Sequence, residues 1–281
     1  MKQGDLVTRK SYGGDVIFKI QDIKMQQAIL RGVELRLMAD APILDLEPTT
    51  AEYTQNLSGM RPHWAESMRR NQVVPAMTPG ITGKGTSGYF EMPGKVLHLD
   101  GDASYLRKCM ALYGELRVPV EGYYVPEANM AEALYRLLPQ VRPDIVVITG
   151  HDGILKHRNG QDISQLSSYK NSHNFVNAVR VARQYEKNRD TLVVVAGACQ
   201  SHFEALLQAG ANFASSPARV LIHALDPLCI AAKLAFTPIQ ETVNLVDVIS
   251  LTHSGLEGLG GLETKGSYRR GVPRITYSST K

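Results

Sequence analysis

Two apolar runs of strand length constrain this chain more than any other feature: Asp144-Ile-Val-Val-Ile-Thr-Gly-His151-Asp-Gly153 and Thr191-Leu-Val-Val-Val-Ala-Gly-Ala-Cys199-Gln-Ser201. Each is continuous rather than alternating, the pattern of a parallel strand covered on both faces. Each then passes through small residues to one reactive side chain. Open parallel sheets carry their chemistry just beyond the carboxyl ends of their strands. If the two strands are neighbours, His151 and Cys199 emerge on one edge, as a thiol nucleophile and its base require.

The flanking sequence supports such a sheet. From Gly94, strand and helix patterns alternate. Lys95–Asp100 predicts a strand ending at Gly101-Asp102, and Ser104–Leu116 a helix with Leu106, Met110, Tyr113 and Leu116 on one face. Val118–Val125 predicts a strand, and Asn129 opens a helix carrying Met130, Leu134, Leu137 and Val141. Helices are also expected over Ser172–Lys187 and over Ser201–Gln208, the latter closed by Gly210. This rhythm gives an α/β fold, a parallel sheet with flanking helices. A polar residue before proline predicts three more helix starts, at Ser216-Pro217, Asp226-Pro227 and Thr237-Pro238. The glycine-rich basic tail from Gly255 reads as loop.

The first 48 residues differ. Short runs at Asp5–Thr8, Asp15–Ile20, Gln27–Arg31 and Val33–Leu37 are separated by turns at Ser11–Gly14 and Arg31-Gly32. They predict a small SH3-like β-barrel, either a binding module or a packing module, because nothing in them identifies a ligand. Residues 49–93 carry Pro62, Pro75 and Pro79 among several glycines and read as a flexible linker. Their Gly-Lys-Gly-Thr lacks phosphate-loop spacing. The expected organisation is therefore a barrel at 1–48, a linker at 49–93 and an α/β domain at 94–281.

Bulk properties remove several classes. The formal net charge of +4 comes from dispersed basic residues, so no nucleic-acid partner is expected. No apolar run approaches about 18 residues, and no membrane partner is expected. Met1-Lys-Gln-Gly-Asp-Leu lacks the apolar stretch of a secretory signal. Three widely spaced cysteines give neither a disulfide framework nor a zinc site, which points to a reducing, intracellular place of synthesis. No metal and no organic cofactor is implied.

Cys199 follows a buried strand, has small neighbours and is expected just before a helix, whose amides and dipole favour a thiolate. The amides around it suit an oxyanion. Cys109 and Cys229 lie in apolar helical patterns and read as inert core residues. His151 has glycines close on either side, leaving space beside an imidazole that moves protons. His202 is the competing base, expected to point away along the following helix. The histidine lies 48 residues before the cysteine, the order and spacing seen in caspases. Papain-like enzymes place cysteine first, and the glutamine-amidotransferase elbow has a second glycine that Gly197-Ala-Cys-Gln-Ser201 lacks. A caspase-like α/β peptidase domain fits best.

Tyr12-Gly-Gly-Asp-Val-Ile-Phe18, Gly150-His-Asp-Gly153, Gly197-Ala-Cys-Gln-Ser201 and the basic glycine-rich tail resemble the YabG family of sporulation-specific proteases, over essentially the whole length. The resemblance implies a cysteine endopeptidase of the mother-cell cytoplasm, associated with the developing spore coat. It implies cleavage after arginine in spore coat and cortex-associated proteins. By the wider clan pattern His151 and Cys199 form the dyad with no third member required, and the amides of Gly153 and Cys199 serve the oxyanion. Asp152 stands where the clan has glycine directly after the histidine. Arginine preference calls for a carboxylate, and Asp100, Asp102 and Asp152 are the candidates. Arg69-Arg70 and Arg269-Arg270 suggest self-processing. Two other readings stay open: a non-catalytic coat-assembly scaffold, and a thiol amidase acting on small substrates.

Overall fold

The computed structural model describes residues 1–49, 90–155 and 162–271. Five strands open the chain: β1 (Leu6–Arg9), β2 (Phe18–Lys24), β3 (Gln27–Gly32), β4 (Met38–Pro42) and β5 (Leu46–Pro48). They form an antiparallel sheet in the order β4-β3-β2-β1-β5. Alternate side chains turn inward, so Val7, Phe18, Ile20, Ala28, Leu30, Ala41 and Leu46 make a core of their own. Most of the expected linker lies outside the described residues, Arg69-Arg70 included. Its last part is a strand, β6 (Phe90–Met92).

The α/β domain then runs β7 (Val96–Asp100), α1 (Ala103–Glu115), β8 (Val120–Tyr124), α2 (Met130–Val141), β9 (Ile145–Thr149), α3 (Ser172–Tyr185), β10 (Val193–Ala196), α4 (Phe203–Ala209) and β11 (Phe213–Ser215). It closes with α5 (Asp226–Phe236), β12 (Thr242–Val243), α6 (Leu245–Ser250), α7 (Gly255–Gly258), β13 (Leu259–Gly261), β14 (Thr264–Lys265) and β15 (Arg269–Gly271). Six strands make one sheet in the order β13-β11-β10-β9-β7-β8, parallel except for β13. The expected fold class is borne out.

The packing explains why the strands are apolar throughout. Ile145, Val147, Val193 and Val195 face a core shared with α1 and α5. Val146, Ile148, Val194 and Ala196 face the opposite core, shared with α2 and α3. Period-two alternation therefore meets a hydrophobic layer on either side. Burying each such side chain contributes about 1.5–3 kcal/mol relative to exposure. Among the described residues no helix is long and apolar enough to cross a membrane.

Three local expectations need correction. Of the three polar-then-proline signals, only Asp226-Pro227 starts a helix. Thr237-Pro238 instead ends α5: the Thr237 hydroxyl donates to Lys233 O at 2.8 Å, and proline is common past a C-cap as well as at a helix start. Ser216-Pro217 sits in a turn, where the Ser216 hydroxyl donates to Val220 O at 2.7 Å. The tail also carries regular structure from Gly255 to Gly271. β13 pairs with β11, and a Cβ on Gly261 would come within 2.4 Å of Asn212 O, so glycine here marks a close approach and not a loop. β15 pairs with β6, joining the tail to the start of the domain.

Candidate active site

The strand order reverses between β7 and β9, and chemistry in such sheets gathers at the crevice there. Thr149 pairs with Asp100 across β7–β9, and on its other side the Thr149 hydroxyl donates to Gly197 O at 2.9 Å. Two residues beyond this level each chain reaches a polar or reactive residue: Asp102, His151 and Cys199. The three therefore leave adjacent strands on one edge of the sheet.

His151 Nε2 lies 3.0 Å from Asp102 Oδ2, and its Nδ1 is buried with no partner among the described residues. The His151 main chain is fixed on both sides: its amide donates to Glu127 Oε1 at 2.8 Å, and its carbonyl accepts from Asn171 Nδ2 at 2.8 Å. Asp102 is also the N-cap of α1, accepting from the amides of Ser104 (2.7 Å) and Tyr105 (3.2 Å). Arg31, from the end of β3, reaches across and places Nη1 at 3.1 Å from Asp102 Oδ1. Burial alone would push the Asp102 carboxyl up. The His151 hydrogen bond, the Arg31 charge and the two amides together hold it well below the usual carboxylate range.

Cys199 has no exposed surface. Its sulfur accepts from the Ile222 amide at 3.2 Å, and its thiol faces Ile222 O at 3.7 Å. Burial pushes the thiol up to about 11, against the opposing pull of the Ile222 hydrogen bond and of Arg36. The expected helix does not adjoin the sulfur: α4 starts at Phe203, capped by His202. A tight turn intervenes instead, with Gln200 at φ 54°. Ser201 closes that turn, its hydroxyl accepting from the Ala198 amide and donating to Asp152 Oδ2, each at 2.9 Å.

The three acids named from the sequence have distinct surroundings. Asp100 is wholly buried and takes both Arg36 Nη atoms at 2.9 Å, one on each oxygen. Asp102 holds His151 and Arg31. Asp152 accepts from the Ser172 and Ser201 hydroxyls and from the amides of Gly153 (2.9 Å) and Asn171 (2.7 Å), and burial pushes its carboxyl up. The Gly153 amide is thus spent on Asp152, whereas the Cys199 amide meets no acceptor among the described residues. His202 turns its Nε2 to Ser164 O at 2.7 Å, and its Nδ1 accepts from the Ala205 amide at 3.3 Å, so both ring nitrogens are engaged elsewhere. Cys109 and Cys229 are buried in the core. A cleft of about 740 Å³ lies beside His202, Glu204 and Arg219 rather than at Cys199.

Two further groups bring possible metal donors together, His98–Asp100–Cys109 and His223–Asp226–His253. In each the carboxylate is already engaged: Asp100 by Arg36, and Asp226 by the amides of His223, His253 and Ser254.

The sequence profile described as YabG peptidase U57 matches residues 2–273. The chain belongs to the YabG peptidase family. The sporulation-specific protease YabG of Bacillus subtilis (strain 168) is 44% identical over 287 aligned residues, 96% of this chain and 97% of that protein. No solved structure matches. This member of the YabG family is a sporulation protease, and its peptide-cleaving chemistry has to be found in the residues above. Sequence reasoning named Asp102 without its tie to His151. It missed Arg31 and Arg36 altogether, whose only local signal was the turn at Gly32.

Proposed function

We propose that this YabG-family chain is a cysteine endopeptidase in which Cys199 attacks, His151 moves the proton and Asp102 holds His151. The observation that carries the reading is the common sheet edge of Asp102, His151 and Cys199, with the imidazole already fixed by a carboxylate. In the reaction the Cys199 proton passes to His151, and the thiolate attacks the peptide carbonyl carbon. His151 then protonates the departing amine as the C–N bond breaks. Water hydrolyses the thioester and regenerates the thiol. The carboxylate of Asp102 keeps the ring in one orientation and stabilises it when charged. The free Cys199 amide is the donor best placed for the oxyanion.

Cleavage after arginine belongs to the same reading. Asp100 already cradles a guanidinium with two parallel hydrogen bonds, the geometry in which carboxylates recognise arginine. Spore coat and cortex-associated proteins are the proposed substrates, cut in the mother-cell cytoplasm at the developing coat. The sporulation-specific name of the Bacillus subtilis relative supports this setting. Self-processing is part of the proposal too, although Arg269-Arg270 sits in β15 and must unpair from β6 before it can be cut.

A peptidyl-arginine alkylating probe, followed by peptide mapping, tests the reading. Cys199 should carry the label, and a Cys199→Ala chain should neither label nor cut arginyl peptides. Label on another residue, or cleavage that survives Cys199→Ala, would overturn it.

A further inference from the structure

At the tip of the β3–β4 hairpin the Val33 amide still donates to Ile17 O at 2.9 Å and Leu37 still packs on the N-terminal core, but Glu34–Arg36 between them leaves that sheet. It enters the α/β domain between α1 and the segment around Ile222–Ala224. Leu35 pairs antiparallel with His223. The Arg36 amide donates to Ile222 O at 3.1 Å, and the Ala224 amide donates to Glu34 O at 2.7 Å. Glu34–Arg36 is thus bonded as an added strand, the main-chain mode by which extended peptides dock on an open edge.

The place where this strand ends matters most. Ile222 O, which accepts from the Arg36 amide, is the same oxygen that faces the Cys199 thiol at 3.7 Å. Arg36 therefore brings its main chain to the nucleophile. Its side chain is wholly buried, bidentate on Asp100 at 2.9 Å and within 3.0 Å of Ala224 O. Burying an ion pair costs desolvation that a leucine or methionine in the same space would avoid, so packing alone does not account for it.

The tip is also held rigidly. The Tyr105 hydroxyl lies 2.6 Å from Gly32 O and 2.7 Å from Leu35 O, and Lys108 Nζ donates to Val33 O at 2.7 Å. A Cβ on Gly32 would come within 2.3 Å of Leu35 O, so only glycine permits this tight turn.

We propose that Glu34-Leu35-Arg36 is a built-in occupant of the substrate groove, with Arg36 in the primary specificity pocket on Asp100, and that the folded chain is thereby self-inhibited. The main chain lies along Ile222–Ala224, the guanidinium meets a buried carboxylate, and the residue's amide shares the Ile222 carbonyl with the Cys199 thiol. The closure of Cys199 from solvent follows from this occupancy. The inference rests on the reading of Cys199 as nucleophile and on the preference for arginine.

The test uses the full chain as wild type, Arg36→Ala, Lys108→Ala and Cys199→Ala. Each is assayed for hydrolysis of an arginyl peptide amide and for iodoacetamide labelling of Cys199. Lys108→Ala changes a surface residue and reports even if Arg36→Ala fails to fold. Both Arg36→Ala and Lys108→Ala should raise hydrolysis and labelling, by at least about tenfold and about threefold respectively. Rates at the wild-type level in folded variants, with Cys199→Ala inactive, would overturn the occupancy and leave the protease reading standing. Faster labelling without any arginyl hydrolysis would show only that the tip covers Cys199, and would sink the arginine-protease reading and the substrate-groove assignment with it.

Discussion

Arg31 and Asp102 form an ion pair of 3.1 Å between the N-terminal sheet and the first turn of α1, and the same carboxylate holds His151 at 3.0 Å. The orientation of the imidazole is therefore set by residues of two separate cores. The first 48 residues are part of the site's support, and not an appended module.

Asp102→Asn separates the two duties of this residue. Asparagine caps helices about as well as aspartate, so α1 should be preserved. The amide loses the charge that stabilises a protonated imidazole, and kcat should fall on the order of 10²- to 10⁴-fold. Asp102→Ala should fall as far and also lose about 1 kcal/mol of stability with the cap. Steady-state kinetics with thermal melts of both variants check this. An Asn variant with full activity would remove Asp102 from the mechanism.

The Asp102 carboxyl also fixes a pH window. Its folded value lies below the ordinary carboxylate value near 3.9, so its contribution to stability is complete above that pH. It is lost as the pH falls below about 4 toward the folded value. The stability gap between wild type and Asp102→Asn should shrink as the pH falls below about 4. Denaturant midpoints measured on either side of that pH give the answer.

Arg31→Ala should lower kcat by about threefold to tenfold while leaving KM nearly unchanged. Hydrogen bonds to charged groups contribute about 1.5–3 kcal/mol, but Arg31 is partly exposed and two amides still hold Asp102. Arg31→Lys should recover part of the loss, since it restores charge without the fork of the guanidinium. A KM effect with unchanged kcat would instead place Arg31 on the substrate path.

What the sequence discloses follows from how local each cause is. β9 and β10 are legible because a strand buried on both faces must be apolar at every position, and their ends locate His151 and Cys199. The end of β7 likewise marks where Asp102 stands, but position at a strand end does not say which neighbour a carboxylate will take. Proline after a polar residue is ambiguous, because Asp226-Pro227 and Thr237-Pro238 use one pattern for opposite ends of the same helix. Arg36 and Asp100 are 64 residues apart, and nothing near either one signals that they meet. The turn after Cys199 escapes notice because Gln200, rather than glycine, adopts the left-handed conformation.

Alkaline pH should destabilise the chain through its thiols. Burial raises Cys199 to about 11 and Cys109 to about 12, and Cys229 well above its ordinary value. A free thiol ionises near 8.5. Between these values the unfolded chain binds fewer protons than the folded one, so stability falls as pH rises. Each thiol contributes a slope of up to about 1.4 kcal/mol per pH unit over its interval. Cys199→Ala should start from its own stability at pH 7 but decline less steeply from pH 8.5 upward. Urea titrations at half-unit intervals give both slopes. Parallel lines for the two chains would mean that Cys199 ionises in the folded protein as readily as in water, and that its burial does not protect it.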